Sequence, residues 1–299
     1  MEDYILTTLV TAQKLHSVFE AAVRTTCIAD YTSEQIDAWV EKATMQRWNY
    51  LLESNLVFIA ALHIPTNVIA GFTSVDPTGY MHSMFVHPVH QHRGVGAFLL
   101  CAAEDFAMGH RAVSLDAEVS LTARPFFEHQ GFRIQCAQTV EVCGVELDNY
   151  VMSKPLIYPA KESDYAELLQ LWETSVRATH HFLEEEDIQF YKSLILEQCF
   201  PEVSLYLIYN IMGKIVAFIG LNGNRIEMLF VHPVERKKGY GSLLVDFAIT
   251  QHHIHQVDVN EQNEEALGFY LRKGFRVVGR DELDSTGKPF PILHMSRRE

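Results

Sequence analysis

No run of 18 apolar residues occurs in this 299-residue chain, which argues against a transmembrane helix. The N-terminal MEDYILTTLV has no basic region ahead of its short apolar stretch, against a secretory signal. Cysteine is sparse and unpatterned. Cys27, Cys101, Cys136, Cys143 and Cys199 are odd in number and never spaced C-x-x-C, as in reduced cytosolic thiols rather than a disulfide framework or zinc site. Positive charge is short too, with 24 Lys and Arg against 38 Asp and Glu, a formal charge of −14. A general nucleic-acid binder needs the reverse, whereas a cationic acceptor such as an amine is attracted; a charge that only maintains solubility fits equally. No G-K-[ST] is present to hold Mg²⁺ in a P-loop, and no G-x-G-x-x-G marks a dinucleotide fold. The histidines form no persuasive ligand set. The expectation is a cytoplasmic protein without metal, nucleic-acid or membrane partners.

What the chain does have is length for two ordinary domains, with 48% apolar residues, and a repeat. VFEAAVRTT at Val18 answers LWETSVRAT at Leu171, FVHPV at Phe85 recurs at Phe230, and FFEHQGF at Phe126 answers FYLRKGF at Phe269, offsets of 153, 145 and 143. A slowly drifting offset is what duplicated domains with different loop lengths produce. The boundary falls near MSKPLIYPA, giving units 1–155 and 156–299. Each unit reads as a short strand, an amphipathic helical region, three strands ending at MHSMFVHP or IEMLFVHP, a helix, a strand, a short helix and two closing strands. Thr32 and Gln35 fit a capping box in the first unit. The fold class is α/β (α+β), a mixed, mostly antiparallel sheet flanked by helices in each of two tandem domains.

Between the third of those strands and the next helix stands HPVERKKGYGSLL. Pro233 ends the strand and Gly239 opens a helix whose N-terminus presents unpaired N–H groups and the positive end of the macrodipole, a site for phosphate. Gly239 and Gly241 remove side chains that would hold an anion away. Arg236, Lys237 and Lys238 add charge, and Tyr240 and Ser242 complete the turn. The first unit repeats it as Gln91, His92, Arg93, Gly94, Val95, Gly96 and Ala97. Two ordinary tight turns are the plain alternative, but both follow a V-H-P strand end and open an apolar helix.

These marks carry a resemblance. The two [QR]-x-x-G-x-[GA] turns, with Asn263-Glu-Glu-Ala266-Leu-Gly-Phe269-Tyr270-Leu-Arg-Lys-Gly274-Phe275 downstream, resemble the GNAT superfamily of acetyl-CoA-dependent N-acetyltransferases over essentially the length of both units. The second unit, with VNEQNEEALGFY and GKPFPIL, is similar to the YjaB-like bacterial acetyltransferases. The first, with YTSEQIDAW and TARPFFEHQGF, resembles the YafP-like group.

The resemblance implies direct attack of a primary amine, in a small molecule or a peptide, on the thioester of acetyl-CoA as donor cosubstrate. It implies a cleft where the fourth and fifth strands of each unit splay apart. Pantetheine would lie on backbone groups of Leu229, Phe230 and Val231, and in the first unit of Met84, Phe85 and Val86. Asn263 would cap the next helix, with a pantetheine contact or without one. Tyr270 falls where the family places its general acid, and Glu227 where a general base often stands; an apolar-packed tyrosine and an outward-facing glutamate are the alternatives. His180, His181 and Glu184, in VRATHHFLEEED, lie where the family walls the acceptor site, although an acidic first turn of a helix explains Glu184–Asp187 as well.

The first unit departs from this pattern, with Phe127 for the tyrosine, Ser120 for the asparagine and His82 for the acid. Phenylalanine donates no proton, while His82 titrates near neutral pH. That half reads as an acetyl-CoA-binding domain, catalytic or not, and an acyl-CoA sensor or scaffold is the other class that fits the chain. A monomer of two packed domains and a homodimer both remain open.

Overall fold

The computed structural model describes residues 2–210 and 212–298. The chain divides into two compact units, Met1–Leu156 and Ile157–Glu299, each built on one seven-stranded sheet.

In the first unit, β1 (Tyr4–Thr7) leads to α1 (Ala12–Thr26), α2 (Ser33–Lys42) and α3 (Met45–Leu52). Thr11, Thr32 and Thr44 start these helices by accepting a backbone N–H three residues on, and Thr32 and Gln35 form the reciprocal capping box. The helix α3 was not legible as a separate element. Three antiparallel strands follow, β2 (Val57–His63), β3 (Val68–Val75) and β4 (Tyr80–Val86). Then come α4 (Val95–Gly109), β5 (Ser114–Ser120), α5 (Arg124–His129) and a long hairpin of β6 (Arg133–Val142) and β7 (Val145–Pro155). The order across the sheet is β1-β2-β3-β4-β5-β7-β6. Its core sets Phe19, Trp48 and Phe85 edge to face, with centroids 5.0 Å and 5.6 Å from Phe19.

The second unit repeats the plan. A two-residue β8 (Tyr158–Pro159) precedes α6 (Tyr165–Thr179) and α7 (Glu185–Leu194). A single π-helical turn at Ile195–Cys199, which the sequence did not announce, leads into the short α8 (Phe200–Glu202). Strands β9 (Ser204–Tyr209), β10 (Ile215–Asn222) and β11 (Arg225–Val231) are followed by α9 (Tyr240–His252), β12 (Gln256–Asn260), α10 (Glu264–Arg272), β13 (Arg276–Asp281) and β14 (Ile292–Ser296). The order is β13-β14-β12-β11-β10-β9-β8. Seven of the eight residues of β10 are buried, as a strand covered on both faces requires. Phe200 and Phe218 are wholly buried at its centre; truncating either to alanine is expected to cost about 3–5 kcal/mol.

Each sheet is antiparallel except at one joint. β4 and β5 pair in parallel only at Tyr80↔Asp116 and Met81↔Ala117, and β11 and β12 only at Arg225↔Gln256 and Ile226↔Val257. Beyond those rungs the strands part.

Candidate active sites

The parting begins at a one-residue bulge. In the second unit Gly220 faces Met228 and Leu221 faces Ile226, so Glu227 is the extra residue. In the first, Ser74 faces Ser83 and Val75 faces Met81, so His82 is. A bulge bends its strand and re-aims the unpaired side chain, and it stands at the position occupied by the differing residues His82 and Glu227. From Glu227 onward the edge of β11 that faced β12 has no strand partner, which leaves a place for an extended ligand to bond like an added strand.

A cavity of about 410 Å³ fills the opening in the second unit. Leu229, Phe230 and Val231 line it from β11, Arg236, Lys237, Gly239, Tyr240, Gly241 and Ser242 from the turn and α9, Asn263 and Tyr270 from the start and body of α10, and Ser175, Thr179 and His180 from the end of α6. Of the sixteen sequence positions named above for the second unit's cofactor, catalytic and acceptor roles, twelve line the cavity: Leu229–Val231, Arg236, Lys237, Gly239–Ser242, Asn263, Tyr270 and His180; Lys238 does not. Glu227, His181 and Glu184 do not line it either.

The turn takes the shape its glycines permit. Lys237 (φ 66°) and Gly239 (φ 96°) are both left-handed, and Gly239 caps α9. Alternating backbone of this kind points successive N–H groups to one side and makes an anion-binding nest at a helix N-terminus. A Cβ on Gly239 would meet nothing within 4 Å, so the demand for glycine there is conformational. A Cβ on Gly241 would lie 3.6 Å from Val231 and 3.8 Å from Phe269, between β11 and α10. These residues fit a pyrophosphate-bearing ligand. The basic cluster is less free than its sequence suggests. Arg236 is ion-paired with Glu265, and Lys238 with Glu235 at 2.6 Å. Glu235 and Glu265 also line the cavity, a pair of carboxylates that sequence reasoning missed; Glu265 sits in the first turn of α10, a position that favours acids.

Deeper in the cleft, hydrogen bonding fixes a protonation pattern. The Thr179 hydroxyl donates to the Ser175 carbonyl at 2.8 Å, so it has only lone pairs to offer the His180 Nδ1 at 2.8 Å. Nδ1 therefore carries the proton, and Nε2 keeps its lone pair, 3.5 Å from the Asn263 amide nitrogen. Burial, with His181 adding its charge, pushes His180 down to a pKa of about 4, so the ring is neutral near pH 7. Asn263 meanwhile accepts the Ala266 N–H at 3.0 Å, capping α10. Tyr270 is 6% exposed, packed edge to face against Phe269 and Phe275, and burial raises its phenol well above the ordinary value. It stays protonated across the working pH range.

Glu227 stands exposed at the bulge. Nearby structure still desolvates its carboxyl and raises the pKa, with Arg225 opposing and Asp258 adding. The acidic run after His181 is the first turn of α7: Glu184 and Asp187 form a capping box, Glu185 holds Arg177 at 2.7 Å, and Asp187 holds Lys288 at 2.5 Å.

The first unit has the same turn conformation, with His92 (φ 58°) and Gly94 (φ 80°) left-handed and Gly94 capping α4. Val95 is buried against the core, and a Cβ on Gly96 would press to 3.1 Å of the Phe126 ring. Arg93 and Ala97 flank the turn. Gln91 donates its amide to Thr26 Oγ1 (2.9 Å) and to the carbonyl of Val86 (3.1 Å), so its side chain ties α1 to the end of β4. A cavity of about 230 Å³ opens beside the bulge, and His82, Met84, Phe85, Ser120 and Phe127 line it.

The profile of the family described as "Acetyltransferase (GNAT) domain" matches twice, at residues 27–154 and 179–295. The chain is 37% identical over 137 residues to the peptidyl-lysine N-acetyltransferase YjaB of Escherichia coli, covering 46% of the chain and 92% of that protein. It is 32% identical over 140 residues to the uncharacterized N-acetyltransferase YafP of the same organism, covering 47% and 87%. Among solved structures, apo YjaB from Escherichia coli covers 47% of the chain and 95% of its own at 37% identity, with a TM-score of 0.44. A GCN5-related N-acetyltransferase from Rhodopseudomonas palustris covers 51% and 94% at 27% identity, with a TM-score of 0.48.

Proposed function

The chain belongs to the GNAT acetyltransferase family, and from that premise we propose that its second unit transfers an acetyl group from acetyl-CoA to a primary amine by direct attack. The observation that carries this reading is one cavity lined together by the edge of β11, the turn at Lys237 and Gly239, the protonated phenol of Tyr270 and the neutral imidazole of His180 with its Nε2 lone pair. When bound, acetyl-CoA supplies the reactive thioester.

The chain's own residues do the rest. The nest and the dipole of α9 hold the pyrophosphate, displacing Glu265 from Arg236 as phosphate takes the guanidinium. The free edge of β11 at Leu229–Val231 holds the pantetheine arm extended. A primary amine enters largely as ammonium, since its pKa lies near ~10, and must lose a proton. His180 Nε2 is placed inside the cleft to take it, directly or through water. Tyr270 holds the proton that the departing thiolate needs, and its apolar packing keeps that phenol protonated until a stronger base touches it. Glu227, outside the cavity lining, serves the acceptor side as a charge that draws the ammonium. The relative YjaB is named for peptidyl-lysine, and a lysine-bearing peptide is the acceptor we propose here. We propose the first unit, 1–155, as a second acetyl-CoA-binding domain that lacks the phenolic acid.

The test is steady-state release of CoA with a lysine peptide. Tyr270→Phe is expected to lower kcat by about 10²-fold or more with KM for acetyl-CoA little changed; unchanged turnover would remove Tyr270 from the mechanism.

A further inference from the structure

The 230 Å³ cavity of the first unit is unlike the cleft of the second, and its lining identifies a different acceptor. Its volume lies below the ~300–1,000 Å³ of pockets for drug-sized ligands, which sets the occupant at the scale of a small metabolite. Its walls are aromatic: Phe19, Trp39, Trp48 and Phe85 all line it. Phe19 stands edge to face with each of the other three at 5.0–6.2 Å. Rings held so rigidly favour a flat or apolar body.

At the same cavity stand two cations, Lys42 at the end of α2 and Arg47 in α3. Neither has a hydrogen-bonded or ion-paired side-chain partner among the described residues. Arg24, Arg124 and Lys154 of the same unit, by contrast, are paired with carboxylates and do not line this cavity. The charges of both act on the bulge residue His82, whose Nδ1 lies 2.7 Å from Ser83 Oγ. Two carboxylates, Glu118 and Asp148, face the cavity from β5 and β7. The Asp148 carboxylate accepts the Thr139 hydroxyl at 2.6 Å. The cavity is thus polarised, cationic on the helical side and anionic on the strands.

We propose that this pocket takes a small aromatic amine that also bears a carboxylate, an aromatic α-amino acid, with the carboxylate on Arg47 and Lys42 and the ring among Phe19, Trp39 and Trp48. A planar guanidinium holds a carboxylate by two parallel hydrogen bonds. A lysine side chain of a peptide would instead bring a third positive charge to the two cations beside His82, with no carboxylate to meet them. The assignment rests on the reading of the first unit as an acetyl-CoA domain, because the pocket opens at the bulge where β4 leaves β5. In the transfer, the amine nitrogen forms a bond to the acetyl carbon as the carbon–sulfur bond breaks. His82 takes the proton leaving the nitrogen. The thiolate takes its proton from solvent, since Phe127 offers none.

The experiment is calorimetric titration of the full chain with phenylalanine and, separately, with phenethylamine, which lacks the carboxylate, in the wild type, Arg47→Met and Lys42→Met; both positions are solvent-accessible, and folding is verified by circular dichroism. Phenylalanine is expected to bind at least about tenfold more tightly than phenethylamine, with the preference lost in Arg47→Met and reduced in Lys42→Met. Equal or tighter binding of phenethylamine, a preference that survives both substitutions, or no binding of either would overturn the proposal. Formation of N-acetylphenylalanine from acetyl-CoA, measured with wild type and Gly94→Asp, separates the underlying reading. A phenylalanine preference that depends on Arg47, without product that depends on Gly94, upholds the recognition and sinks the reading of the first unit as a transferase domain.

Discussion

Where the second unit has His180, Asn263 and Tyr270, the first has Cys27, Ser120 and Phe127. One local hydrogen bond is kept at these positions. Ser120 Oγ accepts the Ala123 N–H at 3.2 Å, as Asn263 accepts that of Ala266 at 3.0 Å; the second bond caps α10 directly, whereas α5 starts only at Arg124. What differs is the chemistry at these positions, of which Ser120 and Phe127 line the first cavity and Cys27 does not. Cys27 is a buried thiol whose pKa burial raises, Ser120 has no amide to offer across the cleft, and Phe127 is a buried ring with no proton to give. The turns at Gly94 and Gly239, in contrast, share one conformation. The two units share the turn and the bulge, while the residues we propose as acid, base and acceptor wall in the second differ in the first. On the proposed roles, cofactor binding and chemistry are separable layers of one fold.

Exchanging the differing residues tests that separation. The largest effect belongs to the acid. Tyr270→Phe gives the second unit the first unit's residue and is expected to remove about 10²-fold or more of its kcat. Phe127→Tyr, made in that background, should raise the residual acetyl transfer of the first unit; a Phe127→Tyr protein no faster than its parent would show that the missing phenol is not what distinguishes the clefts.

A smaller effect belongs to His180, and its sign follows from its depressed pKa. The folded value is about 4 and an unfolded histidine titrates near ~6.5. The neutral ring therefore stabilises the fold fully above that unfolded value, and this contribution is lost as pH falls from about 6.5 towards 4, at most about 3 kcal/mol in all. Urea denaturation at pH 7 and pH 4.5 should show a steeper fall for wild type than for His180→Gln; parallel falls would mean that the ring is not held neutral. Cys27 gives the first unit no such slope in this range.

The smallest effect concerns the last residue of each central strand. The second unit closes the Val231 carbonyl with Ser175 Oγ at 3.1 Å, and the first closes the Val86 carbonyl with Gln91. Ser175→Ala and Gln91→Ala should each cost about 1 kcal/mol. Chemical denaturation checks it, and a cost of zero in both would mean that neither contact holds its strand end.

The parts that local patterns govern were legible in the sequence. Both turns, the capping box at Thr32 and the cap at Asn263 depend on residues a few positions apart. The splay of the fourth and fifth strands followed from the family resemblance, and the structure shows those strands parting after two parallel rungs in both units. Most of the rest depends on pairings between distant segments, and some on the geometry at the end of a helix. The bulge at Glu227 is set by the register of β10 against β11, which nothing in IEMLFV reveals. Arg236 looked free in the sequence because Glu265 reaches it only when α10 packs across the turn, whereas the partner of Lys238, Glu235, stands three residues before it. The lone pair of His180 exists because a hydroxyl one residue earlier spends its proton on the helix backbone. The role of Lys42 and Arg47 at the first cleft emerges only when α2 and α3 are folded against β4.

Calorimetric titration of the intact chain with acetyl-CoA, repeated with Gly94→Asp and Gly239→Asp, tests the central claim most directly, because an aspartate at either cap sets a side chain and a like charge against the pyrophosphate. Two sites are expected, each weakened at least tenfold by its own substitution and untouched by the other. A single site, lost only with Gly239→Asp, would contradict the account and leave the first unit without a cofactor.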